Sequence, residues 1–160
     1  MDKLFTHHNL HQILFLNDLL LAPVFILIIY LLAKKHVASK KSVLYEKYFI
    51  MALMLRLASA IVMALVYQYY YNGGDTFTYF SFAQAMREVF NADKSAFFKI
   101  AFDLKDNAFL AVYYLGEDSA FFFNPSSNLT IWITVFFSYL FFNTYILISF
   151  AFSIFCFFSF

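Results

Sequence analysis

Hydrophobic positions form long unbroken runs in this chain, and the polar positions are gathered between them. Two runs, at about 13–33 and 48–71, are each long enough to cross a bilayer as a helix, which takes about 20 apolar residues. A third run, 130–160, contains no charged residue. Asn143 and Thr144 interrupt it, so the pattern fits one long tilted helix or two helices around a polar break.

The segment between the second and third runs, residues 72–128, mixes polar and apolar positions and is predicted to be helical. Two sets of apolar residues recur at helical spacing, and 109–114 is a candidate for a third short helix. The pattern predicts helices lying in the plane of the membrane surface, the first of them capped by Asp75 or Thr76. The first stripe is Tyr79, Phe82, Ala83, Met86, Val89 and Phe90, and the second is Ala96, Phe97, Ile100 and Leu104.

Composition strengthens this interpretation. Of the 160 residues, 63% are hydrophobic and 13% are charged, whereas a soluble domain carries about 25% charged residues. We therefore predict an all-α, polytopic membrane protein forming a single membrane domain over 1–160, with amphipathic interfacial helices in one large extracytoplasmic insert. The net charge of +1 says nothing about nucleic acid, but no basic patch with interleaved aromatic residues is present, so no nucleic-acid partner is expected. Membrane lipid is the expected partner.

Charge sets the predicted orientation. The link between the first two runs contains five lysines and one acidic residue, Glu46. Under the positive-inside rule this link is cytoplasmic, so the N-terminus and residues 72–128 are extracytoplasmic. Asn17 and Asp18 suggest that the first span begins close to the membrane surface. The lysines are Lys34, Lys35, Lys40, Lys41 and Lys47.

The uncharged third run continues to Phe160 without a polar cap or a basic anchor. We expect from this that the sequence is the N-terminal portion of a larger polytopic protein, or a truncated gene product.

Asp75 is the main candidate for chemistry. It follows Gly73 and Gly74 where the second apolar run ends, and paired glycines allow a sharp turn at little steric cost. A carboxylate at the membrane–water boundary could act as a general base on an acceptor hydroxyl or amine. The alternative is a structural role, since Asp before an amphipathic helix is also a common N-cap.

Other charged residues offer weaker candidates. Glu117 and Asp118 could position an acceptor or bind a divalent metal, although such a pair is more often part of a solvated loop. Arg87 could contact a substrate phosphate, or simply anionic lipid. Arg56 lies within the second span, where it could bind a lipid phosphate or extend to the headgroups. The N-terminal histidines lack the further ligands that a zinc site needs.

The segment Tyr71-Asn72-Gly73-Gly74-Asp75-Thr76-Phe77-Thr78-Tyr79-Phe80, together with the insert that follows it, resembles membrane-embedded glycosyltransferases of the GT-C type. The amino-acid sequence of this segment is also similar to segments of multi-spanning membrane proteins of the Bacteroidota. In the GT-C class the first large extracytoplasmic loop follows a membrane span and carries an acidic catalytic residue near its start. The resemblance covers about 49–160, and one extra span precedes the loop here.

This resemblance implies an inverting transferase of the bacterial inner membrane and cell envelope. It would move a sugar from a polyprenyl-phosphate donor to an extracytoplasmic acceptor, with Asp75 as the base. No nucleotide site is expected, because the donor is lipid-linked and no Gly-rich phosphate loop is present. Two alternatives remain: a non-enzymatic membrane subunit or scaffold of envelope assembly, and a transporter of lipid-linked sugars.

Overall fold

The computed structural model describes residue 14 and residues 16–39, 43–102, 108–115 and 124–159. Every regular element in these ranges is a helix and none is a strand, which confirms the all-α fold class. A π-helical turn, Tyr67–Tyr71, continues α2. The α-helices are α1 (Leu16–Ala38), α2 (Val43–Val66), α3 (Asp75–Ala92), α4 (Lys94–Phe102), α5 (Ala108–Leu115), α6 (Pro125–Leu140) and α7 (Tyr145–Phe158).

Two stretches have the length and composition of membrane-crossing helices. They are Leu16–Ala38, with 23 residues and a mean hydropathy of 2.3, and Lys47–Tyr71, with 25 residues and a mean hydropathy of 2.4. Both agree within a few residues with the first two runs in the sequence. α6 and α7 reach this standard only when the two are counted together as one broken span. The chain is therefore an all-α membrane protein.

The described residues divide into two compact units. We call the one within Asn72–Asn143 the insert unit, and the one within Gln12–Tyr71 and Thr144–Phe160 the membrane unit. In the membrane unit, α1, α2 and α7 pack against one another. Ala22, Leu57, Ile146 and Phe150 form its buried core. Most of the remaining apolar side chains on α1 are exposed, as expected for a helix whose solvent is lipid.

The insert unit is built around α3, which packs along α6 and also contacts α4 and α5. Phe82, Ala83, Met86 and Val89 of the first predicted stripe are buried in its core. They meet side chains from the other three helices: Ala96, Ile100, Ala111, Ile131 and Val135. Both stripes thus contribute to a protein core. Periodicity reveals an apolar face but not its partner, and the interfacial placement of these helices stays a prediction.

The third hydrophobic run is broken between α6 and α7. Phe142 and Asn143 have φ values of 55° and 57°, in the left-handed region that bulky residues rarely adopt. The Asn143 N–H donates to the Ser138 carbonyl at 2.8 Å, the bond that closes a Schellman-type helix end. Of the two arrangements that the sequence left open, the structure has two helices separated by a break.

Candidate functional site

The turn before α3 depends on its glycines. Gly73 and Gly74 have φ values of 148° and 144°, in a backbone region that is almost exclusive to glycine. Gly74, with ψ 169°, is the N-cap residue of α3. Its carbonyl accepts hydrogen bonds from the N–H groups of Phe77 and Thr78, each at 3.0 Å.

Asp75 is therefore the first residue of α3 and not its cap. The expectation that Asp75 or Thr76 caps the helix is wrong, since no side-chain hydrogen bond caps this end. A cap residue needs a non-helical backbone, and the glycine pair supplies that conformation one residue earlier. The Asp75 side chain is exposed. A carboxylate in the first turn also interacts favourably with the helix dipole.

Arg87 and Asp75 do not form a common site. They lie twelve positions apart on the same helix, about 18 Å along its axis at 1.5 Å per residue. Arg87 Nη1 donates to the Ser138 carbonyl at 2.6 Å. Its guanidinium also lies over the Tyr139 ring, 4.6 Å from the ring centroid. Arg87 thus adds a second donor to a carbonyl in the last turn of α6 that also accepts from the Asn143 N–H.

We expect Arg87→Met to destabilise the insert unit by about 1.5–3 kcal/mol, since hydrogen bonds to charged groups contribute in this range. Arg87→Lys should recover part of the loss. Thermal unfolding in detergent measures the effect, with Lys99→Met as a control that removes an exposed cation from the same unit. A normal melting temperature in Arg87→Met, with loss of activity, would instead favour the substrate-binding interpretation.

The other candidates named from the sequence are Glu117, Asp118, Arg56 and the N-terminal histidines. Glu117 and Asp118 lie outside the described residues, as do the N-terminal histidines. Within the described ranges, no three His, Cys, Asp or Glu side chains are grouped closely enough to hold a metal ion. Arg56 is exposed on α2.

The sequence did not reveal the role of Asp18. Its side chain is only 1% exposed within the membrane unit, although the neighbouring Asn17 is exposed. The position of this end of α1 relative to the membrane surface stays a prediction. Asp18 Oδ1 accepts a hydrogen bond from the Ile146 N–H at 2.9 Å. Thr144, the N-cap residue of α7, makes no side-chain capping bond. A carboxylate from α1 therefore satisfies a backbone donor in the first turn of α7.

Gln68 acts in a similar way. This residue of the π-helical turn is 6% exposed, and its Oε1 accepts a hydrogen bond from the Leu14 N–H at 3.4 Å, just before α1. Backbone donors that are buried away from water need another partner, and polar side chains of neighbouring segments accept from both of these. In the sequence, both contacts could have been suspected from an acidic or amide residue within an apolar run.

Comparison of the chain with protein-family models, curated proteins and solved structures found no match. The fold defines the class of the protein, an all-α membrane protein with a compact helical insert unit.

Proposed function

We propose that the chain belongs to a membrane-embedded glycosyltransferase that moves a sugar from a polyprenyl-phosphate donor to an extracytoplasmic acceptor. The observation that carries the proposal is an exposed carboxylate, Asp75, separated from the end of a candidate membrane span only by Asn72, Gly73 and Gly74. The resemblance of this segment to the GT-C class supplies the reaction. Sugar transfer by an Asp75→Asn protein tests it.

Aromatic residues support placing Asp75 at the boundary of the membrane. Tyr69, Tyr70 and Tyr71 are 74%, 76% and 64% exposed, directly before the turn that leads to Asp75. Tyrosine is enriched where membrane proteins cross from hydrocarbon to headgroups. A lipid-linked donor carries its phosphate and sugar at this same level, so an acceptor bound near Asp75 would meet the sugar there.

The chemistry assigned to Asp75 is general-base catalysis. The acceptor oxygen or nitrogen forms a bond to the anomeric carbon as its proton passes to the Asp75 carboxylate. The bond between the anomeric carbon and the phosphate oxygen breaks, and polyprenyl phosphate leaves with the electron pair. Attack opposite the leaving group inverts the configuration at that carbon. Exposure of Asp75 allows an acceptor to reach it.

The proposal needs Asp75 on the extracytoplasmic side of the inner membrane, and labelling can test this orientation. Single cysteines are introduced as Ala38→Cys, at the end of α1, and Asp93→Cys, between α3 and α4, after Cys156→Ser. We expect an impermeant maleimide to label position 93 but not position 38 in intact cells, because the lysine-rich link should stay inside. The opposite pattern would reverse the orientation and remove Asp75 from the proposed acceptor.

The second candidate function is a non-enzymatic membrane subunit or scaffold of envelope assembly. The packing of Arg87 against α6 favours it, since this arginine binds a backbone carbonyl and an aromatic ring of its own unit. A scaffold does not require a carboxylate at position 75, so the Asp75→Asn protein separates the two functions.

A further inference from the structure

The helices α4 and α5 present large apolar side chains on the surface of the insert unit. On α4, Phe98 and Phe102 are 50% and 84% exposed, and their rings stack with centroids 6.2 Å apart. On α5, Phe109, Val112 and Tyr113 are 68%, 47% and 55% exposed. Their spacing, i, i+3 and i+4, places them on one face of the helix. We call these five residues the α4–α5 face.

On these two helices small side chains are buried and larger apolar ones are exposed, the reverse of the usual arrangement in a protein in water. Ala96 and Ala111 are buried in the core of the insert unit, together with Ile100, while bulkier phenylalanines point outwards. In water, burial of the larger ring would be favoured, because the gain scales with apolar area. Aromatic side chains present roughly 150–250 Å² each, so the exposed residues of the two helices together amount to on the order of 500 Å², whereas proteins in water rarely expose apolar patches above a few hundred Å².

The connections of the chain and the residues bordering the face favour lipid as its partner. Only Asn72, Gly73 and Gly74 separate α3 from the candidate membrane span that ends at Tyr71, so a short covalent tether joins the insert unit to that span. Lys94 and Lys99 on α4 are exposed. Lysine beside apolar surface can extend its ammonium group to the headgroups while its methylene chain stays in apolar surroundings.

We propose that the α4–α5 face inserts into the headgroup–acyl boundary of the bilayer and holds the insert unit against the membrane. This differs from the two amphipathic stripes in the sequence, whose buried members form the protein core. The inserting residues lie on the opposite sides of α4 and α5. The proposal is independent of any catalytic role of Asp75.

Depth-sensitive fluorescence tests whether the α4–α5 face inserts into the bilayer. In a Cys156→Ser background, Phe102→Cys and, separately, Phe109→Cys carry the environment-sensitive dye NBD. Asn91→Cys, at an exposed position of α3, is the matched control. The full chain is reconstituted in vesicles of phosphatidylcholine and phosphatidylglycerol, with or without lipid that carries a shallow doxyl quencher. We expect blue-shifted emission and several-fold stronger quenching at positions 102 and 109 than at position 91.

Two results would overturn the proposal. One is equally weak lipid quenching at positions 102, 109 and 91. The other is shielding of positions 102 and 109 from aqueous iodide without quenching by the doxyl lipid, which would mean that protein covers the face. In that case, protein-concentration dependence of the shielding would distinguish a second copy of the chain from a further segment of the same molecule.

Discussion

Replacing Asp75 with asparagine should lower sugar transfer by about 10²–10⁴-fold in the intact protein, the range that general-base assistance supplies. The amide is nearly isosteric with the carboxylate but cannot take the proton of the acceptor. Gly74, not Asp75, is the N-cap of α3, so the substitution removes no capping bond. The helix loses only a favourable dipole interaction of about 0.3–1 kcal/mol, and the protein should remain folded.

The rate of sugar transfer from a polyprenyl-phosphate donor is compared between the variant and the unmodified protein. Both are assayed in membranes that contain equal amounts of protein. Asp93→Asn is the matched control, because Asp93 is an exposed aspartate in the same unit that also stands at the start of a helix. Its Oδ1 accepts a hydrogen bond from the Ala96 N–H at 3.1 Å, which the asparagine oxygen can retain. If Asp75→Asn keeps near-normal transfer, or both variants lose activity equally, Asp75 is not the base.

The second large effect is expected at Asp18. Asp18→Leu should destabilise the membrane unit by about 1–3 kcal/mol, because it leaves the Ile146 N–H without its carboxylate acceptor in a buried position. The first turn of α7 should then open more often. Thermal unfolding in detergent gives the overall change, and hydrogen exchange at the Ile146 amide gives the local one.

Two further variants make the Asp18 result specific. Asp18→Asn retains an oxygen that can accept the same hydrogen bond, so it should lose clearly less stability than Asp18→Leu. Asn17→Leu changes the exposed neighbouring residue on α1 and should leave the melting temperature nearly unchanged. If Asp18→Leu matches the unmodified protein in both measurements, the contact with α7 contributes nothing to stability.

Features that depend on local sequence could be predicted well. The spans predicted at about 13–33 and 48–71 correspond to Leu16–Ala38 and Lys47–Tyr71, because hydropathy along a segment reports directly on its solvent. The turn at Gly73 and Gly74 followed from the freedom of glycine, and the structure uses it at positive φ. The exact cap of α3 was missed by one residue, since both glycine and aspartate favour helix starts.

Of the candidate site, the position and exposure of Asp75 followed from the sequence, but the surroundings of the other residues did not. Arg87 was considered for a phosphate because it is a cation on an amphipathic helix. Its partner in the structure is the carbonyl of Ser138, 51 positions away in the chain. A pattern within one helix carries no information about a backbone group on another.

The sequence by itself determined that this is an all-α membrane protein, where its first two membrane helices lie, and that a carboxylate follows the second of them. Tertiary structure alone decided that the stripes of the insert face a protein core, that Arg87 binds the end of α6, and that Asp18 is buried against α7. The contact between Asp18 and Ile146 joins residues 128 positions apart. Hydropathy and helical periodicity arise from neighbouring residues, whereas the partner of a buried polar group depends on which helices pack together.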